Sequence, residues 1–287
     1  MRIGGCLFKK TMESQPTLTI EAGKLERQYF SDLWRFRELF LFLSWRDILV
    51  RYKQTVFGIL WAILRPFFTM VVFVFIFGKL GRFPSEGGAP YPIMVFAGML
   101  PWQFFATSFT ESSSSLLSNS NLISKIYFPR IILPFSSIVT SFVDLFFSFA
   151  VLILLMIGYG YAPSVRIVTI PVFIALAFLA ALGPGVLIAA LNVKYRDFRY
   201  VVPFIVQIGL YVTPVGFSSG IIPHKYQFLY SLNPMVGIIN GFRWAIIGGK
   251  TAIYLPGFCL SLVLIAALLV FGIRYFRKTE KYFADLI

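Results

Sequence analysis

The chain has 287 residues, of which 58% are hydrophobic and 13% charged, with a mean hydropathy of +0.79. Soluble domains average about 45–50% apolar and 25% charged residues, so this chain lacks the polar shell that a cytosolic enzyme, a nucleic-acid-binding domain or a disordered scaffold requires. The net charge of +14 reads instead as the Lys/Arg bias of cytoplasmic membrane loops.

In chain order, residues 1–32 are a polar tail, and residues 1–30 lack the apolar core of a cleavable signal peptide. Segment 33–56 mixes aromatic and aliphatic residues with Arg35, Arg37, Arg46, Arg51 and Lys53. That pattern predicts a helix lying in the membrane interface; the plainer alternative is a cytoplasmic extension of the first span. Six apolar stretches follow, at about 57–80, 92–112, 131–157, 167–191, 200–217 and 254–273. Each approaches the roughly 20 residues that a helix needs to cross the hydrocarbon. They are apolar all round, which predicts helices and not barrel strands. Between the fifth and sixth lies 218–253, too apolar for a loop and interrupted by Pro223, Pro234 and several glycines. Two short helices dipping partway into the membrane fit that segment, with Asn233-Pro234 as the reversal. Residues 274–287 form a second tail.

The expected fold is therefore an all-α polytopic membrane protein with six spans, an N-terminal interfacial helix and two short re-entrant external helices within 220–250. The membrane domain covers 57–273. With six spans both termini share a side, and that side carries 20 of the 26 Lys and Arg, which predicts cytoplasmic termini.

Catalytic chemistry is sparse. Cys6 and Cys259 lie at opposite ends of the chain, and His224 is the single histidine, so neither a zinc spacing nor a two-histidine site is available. Gly249-Lys250-Thr251 echoes a phosphate-binding loop, but Trp244 stands where its first glycine belongs; a helix-ending turn is the better reading. The Ser112–Ser115 run has no histidine near it in sequence and reads as a polar helix end. Charges inside spans are few: Arg65, Glu111 and Asp144. Asp144 reads as a helix-packing group satisfied by hydroxyls or another span, in preference to a proton-coupling carboxylate, because no relay of carboxylates accompanies it. Aromatic residues make up 18% of the chain. Trp61, Phe68 and Phe75 recur every seven residues, as do Phe204 and Tyr211, so each set shares a helix face. Most aromatics must be lipid-facing or packing bulk. These two sets are the candidates for lining a conduit, where flat rings stack on the C–H faces of sugars.

Several strings carry a family resemblance. They are Arg46-Asp47, Arg51-Tyr52-Lys53-Gln54-Thr55, Gly58-Ile59-Leu60-Trp61 with Pro66, Phe96-Ala97-Gly98-Met99-Leu100-Pro101-Trp102, and Leu122 through Arg130. Asn192-Val193-Lys194-Tyr195-Arg196-Asp197, Thr213-Pro214-Val215, Leu232-Asn233-Pro234-Met235 and Gly241-Phe242-Arg243-Trp244 follow. In this order, over about residues 35–245, the chain resembles the membrane subunit of bacterial ABC-2 exporters of lipid-linked polysaccharide, the O-antigen and capsule branch. Arg65 departs from the pattern, which has a neutral polar residue before the proline.

The resemblance implies a transport subunit and not an enzyme: a homodimer in the bacterial inner membrane, joined to two ATPase subunits that bind ATP and Mg, with no cofactor in this chain and no nucleic acid. Its cargo would be a glycan on undecaprenyl diphosphate. It implies a short coupling helix within 118–128, presenting Asn119, Asn121, Leu122, Ser124, Lys125, Tyr127 and Phe128 to the ATPase. It implies an external gate at Asn233, Pro234, Arg243 and Trp244. The anionic lipid head would be gathered by Arg46, Arg51, Lys53 and Arg65, each worth about 1 kcal/mol beside such a group. The alternatives are an ABC-2 permease for a drug or small lipid, a membrane-embedded glycosyltransferase, and a passive scramblase or structural membrane protein.

Overall fold

The computed structural model describes residues 33–53, 58–248 and 253–283. The predicted N-terminal tail, the Gln54-Thr55 string, the Gly249-Lys250-Thr251 turn and the last four residues lie outside the described residues. Those described are helical, with no strand among them. Helix α1 is Arg37–Lys53 and α2 is Gly58–Phe73, continued by a π-helical stretch, Val74–Leu80. The series continues with α3 Tyr91–Ser118, α4 Ser120–Ile123, α5 Ile132–Gly158, α6 Ile170–Lys194 and α7 Phe198–Val212. It ends with α8 His224–Tyr230, α9 Pro234–Ile246 and α10 Leu255–Thr279.

Five helical stretches are long and apolar enough to cross a membrane: 60–80, 91–118, 132–158, 165–194 and 255–282. The chain is thus an integral membrane protein. The predicted fifth span, 200–217, is the exception. Its helix, α7, stops at Val212 after 15 residues, about 22 Å at 1.5 Å per residue, short of the roughly 30 Å hydrocarbon. Thr213 closes it in extended conformation, and Pro214 follows, a residue that disfavours helix in the one before it.

Burial and composition are coupled. Helix α3 is the least apolar of the five, yet 78% of its apolar stretch is buried, against 17% for the first span and 22% for the last. A helix wrapped by protein can carry Ser, Thr and Gln, whereas one facing lipid must be apolar. Helix α3 is the centre, packed against α5, α6 and α9. Small residues permit the close approach. A Cβ on Gly185 of α6 would stand 2.6 Å from Ser112 Oγ of α3. A Cβ on Gly272 of α10 would meet the Gly183 carbonyl oxygen of α6 at 2.3 Å. The serine run therefore makes a helix seam. Ser113 and Ser115 donate to the Thr110 and Ser112 carbonyls at 2.8 Å, and Asn192 of α6 donates to the Ser113 carbonyl at 2.8 Å.

The helices alternate between two ends. At one, Tyr91 Oη donates to the Gly216 carbonyl at 2.5 Å, Ser164 N to that of Ile246 at 3.1 Å, and Tyr161 Oη to that of Ile247 at 2.9 Å. At the other, Arg46 of α1 donates to Asn119 at 2.7 Å, and Arg130 N to the Glu280 carboxylate at 2.7 Å. The Arg130 guanidinium also binds the Glu280 carbonyl. Helix α7 joins the two ends.

Candidate functional site: a central cleft between two polar ends

Helices α2, α3, α5 and α7 enclose a cleft of about 630 Å³. Its walls combine Trp61, Arg65 and Thr69 from α2 with Gln103 and Thr107 from α3 and Pro203 and Gln207 from α7. The face of α2 turned to the cleft runs through Ala62, Arg65, Pro66 and Thr69, at helical spacing. Trp61 borders it. Phe68, Phe75, Phe204 and Tyr211 do not line it. They are exposed, 54–63%, on the outer sides of α2 and α7. The seven-residue spacing identifies a shared face but does not say which way that face turns. Tyr211 instead stacks on Phe73, with centroids 6.3 Å apart and planes at 13°, tying α7 to the first span.

Ions gather where α1 meets the cleft. Arg51 lies 3.0 Å from the Asp144 carboxylate and 3.5 Å from that of Glu111, and donates to Thr140 Oγ1 at 3.3 Å. Tyr52 Oη donates to Asp144 at 2.5 Å. Burial first, then the Asp144 carboxylate, pushes the Tyr52 phenol well above its ordinary value, which keeps it a donor. The two in-span carboxylates thus find their counter-charge on α1, outside the spans, a pairing no local sequence signal reveals. Arg46 is likewise engaged, 2.7 Å from both Asp47 and Asn119. The four basic residues expected to gather an anion therefore do not form one open patch. Two are neutralised by neighbours, Lys53 is exposed, and Arg65 faces the cleft with no salt-bridge partner among the described residues.

At the same end, α3 breaks at Asn119 and one helical turn, α4, follows. Beyond Ser118, the end of α3, the helical part of 118–128 is thus four residues long. Asn119 is spent on Arg46 and on the Ser115 carbonyl; Leu122 is half-buried and Phe128 buried. Asn121, Ser124, Lys125, Ile126 and Tyr127 stand exposed.

The opposite end is built on Arg243. Its side chain is fully buried, and it donates to the carbonyls of Met94, Val215 and Phe217 at 3.2, 2.8 and 2.8 Å. Glu86 lies 3.8 Å away as counter-ion. Gly98 makes room for it, since a Cβ there would stand 2.9 Å from the guanidinium. Arg243 was expected at an external gate. In the structure it is an internal tie, joining the Val215 and Phe217 carbonyls of the turn after α7 to that of Met94 in α3. Asn233 caps α9, its side chain accepting from Met235 N at 3.0 Å, and Pro234 takes the first turn. Trp244 is covered by the Arg166 guanidinium, 4.8 Å from the ring centre.

The ABC-2 type transporter model matches residues 38–247, which takes in α1 to α9, the cleft and both polar ends. An O-antigen export system permease protein, RfbA, of Klebsiella pneumoniae is 28% identical over 257 residues, 87% of this chain and 95% of that protein. A Myxococcus xanthus protein of the same description is 28% identical over 214 residues, 74% of this chain and 81% of its own length. The polysialic acid transport protein KpsM of Escherichia coli is 22% identical over 241 residues, 82% of this chain and 91% of KpsM. With the family match running through every helix that builds the cleft, the chain belongs to the ABC-2 type transporter family of membrane proteins.

Proposed function

We propose that the chain is the channel-forming permease subunit of an ATP-driven exporter of lipid-linked polysaccharide. The observation that carries the cargo class is the likeness to O-antigen export permeases over nearly their whole length. In this reading two copies assemble in the inner membrane, termini cytoplasmic, with two ATPase subunits that bind ATP and Mg. Helix α7, with the residues after it, makes the sixth crossing, and α8 and α9 form the re-entrant hairpin. Helix α1 lies in the headgroup layer, where its exposed Leu41, Phe42, Trp45 and Leu49 suit the lipid boundary.

The open side of the cleft is the pathway. A second copy facing α2 and α7 closes it, and Phe68, Phe75, Phe204 and Tyr211 then line the shared wall beside Trp61. Hydroxyls and amides within it, Thr69, Gln103, Thr107 and Gln207, hydrogen-bond a passing glycan without fixing one sugar. Arg65 meets the diphosphate. The exposed part of 118–128, Asn121 and Ser124 to Tyr127, meets the ATPase.

Deleting the gene is expected to leave undecaprenyl-diphosphate-linked glycan in the cytoplasmic leaflet, detected by mass spectrometry of extracted lipids. Normal surface polysaccharide in that strain would overturn the reading. So would a purified complex whose ATPase responds to hydrophobic drugs and not to lipid-linked glycan.

A further inference from the structure

A second cavity, of about 430 Å³, lies at the Arg243 end. That volume falls within the roughly 300–1,000 Å³ usual for small-molecule sites. We propose that it is a binding site for one sugar unit of the exported polymer, a neutral hydroxyl-rich pyranose. The proposal rests on the polysaccharide reading above.

Four segments supply the lining: the Glu86–Gly87 loop, the turn at Ser218–Gly220, the α8–α9 hairpin, and Tyr254 before α10. Several of its polar groups are fixed by bonds to their own neighbours. Ser219 Oγ donates to Asn240 Oδ1 at 3.1 Å, and Gln227 Nε2 donates to the Ile222 carbonyl at 3.3 Å. Tyr230 Oη donates to the Val212 carbonyl at 2.8 Å. These bonds orient the side chains and leave defined capacity unused. The Asn240 amide retains its N–H donors, Gln227 its carbonyl acceptor, and Glu86 the acceptor positions that Arg243, at 3.8 Å, does not take. Donors and acceptors thus share one cavity. A hydroxyl both gives and accepts a hydrogen bond, so a ring of hydroxyls satisfies such a wall. Tyr254 adds an aromatic face.

The charge pattern selects against the rest of the cargo. Among the described residues no Lys or Arg lines this cavity, and a carboxylate does. A phosphate would meet the Glu86 carboxylate with no Lys or Arg in the lining; the one basic ring there is the His224 imidazole. The central cleft differs, since Arg65 lines it without a salt-bridge partner among the described residues, beside the Arg51–Asp144 pair. The molecule therefore offers a cationic guanidinium at one place and a hydroxyl-matched pocket without Lys or Arg at the other. Asn240 lies on α9, the helix that also carries Arg243, so occupancy of the pocket touches the element tied to the end of α7.

The test uses the full chain in lipid nanodiscs and saturation-transfer NMR. The probes are methyl pyranosides of neutral hexoses, 6-deoxyhexoses and N-acetylhexosamines, with inorganic phosphate and spermidine as counter-probes. At least one pyranoside should bind saturably, and its apparent affinity should fall at least fivefold in Glu86→Gln and in Asn240→Asp. The second variant keeps an acceptor for Ser219, exchanges the amide donors for a second carboxylate and leaves the Glu86 and Arg243 side chains in place, so it reports even where Glu86→Gln fails to fold. No pyranoside binding, a signal that survives Asn240→Asp, or binding of phosphate or spermidine alone overturns the proposal. Binding is read without transport. A strain that accumulates lipid-linked glycan while the purified chain ignores every pyranoside refutes the pocket alone. Failure of the export reading shows instead in the deletion strain.

Discussion

Arg51 is the residue on which the lower cleft depends. It faces Asp144 at 3.0 Å and Glu111 at 3.5 Å, and both carboxylates sit in helices that composition marks as membrane spans. A half-buried charge that loses its partner costs about 1–3 kcal/mol. Arg51→Gln should therefore lower the thermal unfolding midpoint of the detergent-solubilised protein. Asp144→Asn added to it should restore part of the loss, because the charge left unpaired has gone. Strictly additive losses in that double-mutant cycle would show the pair to be uncoupled. Arg65 presents the opposite case. Its guanidinium lines the cleft, and the positive-inside bias does not require a charge within an apolar stretch. Arg65→Gln should reduce export severalfold in a surface-polysaccharide assay while leaving assembly and basal ATPase activity intact. A fully active variant would remove Arg65 from the proposed pathway.

Among the helices, close approach sets the architecture. Helices α6 and α10 touch backbone to backbone, since a Cβ on Gly272 would lie 2.3 Å from the Gly183 carbonyl oxygen. Backbone cannot yield as a flexible side chain does, so the helices themselves would have to separate. Gly272→Leu should cut the yield of folded, membrane-inserted protein sharply, measured by fluorescence-detected size exclusion. Gly158→Ala, where a Cβ meets nothing within 4 Å, should leave it unchanged. Helix α9 shows how a short element is held in place. Asn233 caps its start, worth about 1 kcal/mol. Gly248 ends it with a positive φ of 65°, its N–H donating to the Trp244 carbonyl at 3.2 Å.

Across the molecule, the helices place 81–90, 159–164 and 213–248 at one end and 119–131 with 195–197 at the other. In the proposed orientation, with the termini in the cytoplasm, the second end is the cytoplasmic one. A cysteine at Lys225, in α8, should react with a membrane-impermeant maleimide in intact spheroplasts. One at Ser124, in the exposed stretch after α4, should react only after permeabilisation. Equal labelling of both would contradict the two-ended arrangement.

Hydropathy alone, read over about 20 residues, places the start of each of the five long spans within three residues, because lipid imposes an apolar surface on any helix that faces it, while 91–118 and 255–282 run on past their expected ends at 112 and 273 into polar sequence. The punctuation of α9 is equally local. Asn-Pro starts the helix, and a glycine ends it. The cleft is not local. Aromatic spacing marks a face of α2 and of α7, but only the neighbouring helices decide that Arg65 and Thr69 point inward while Phe68 and Phe204 point out. The partners of Asp144 lie 92 positions back along the chain at Tyr52 and one residue further at Arg51. Arg243 reaches the Met94 carbonyl 149 residues away. The chain by itself therefore determined what must sit in lipid and where the long spans begin. Which charges are neutralised, and which one is left facing the pathway, was decided only when the helices met, because an ion pair is a property of two positions that local pattern does not connect.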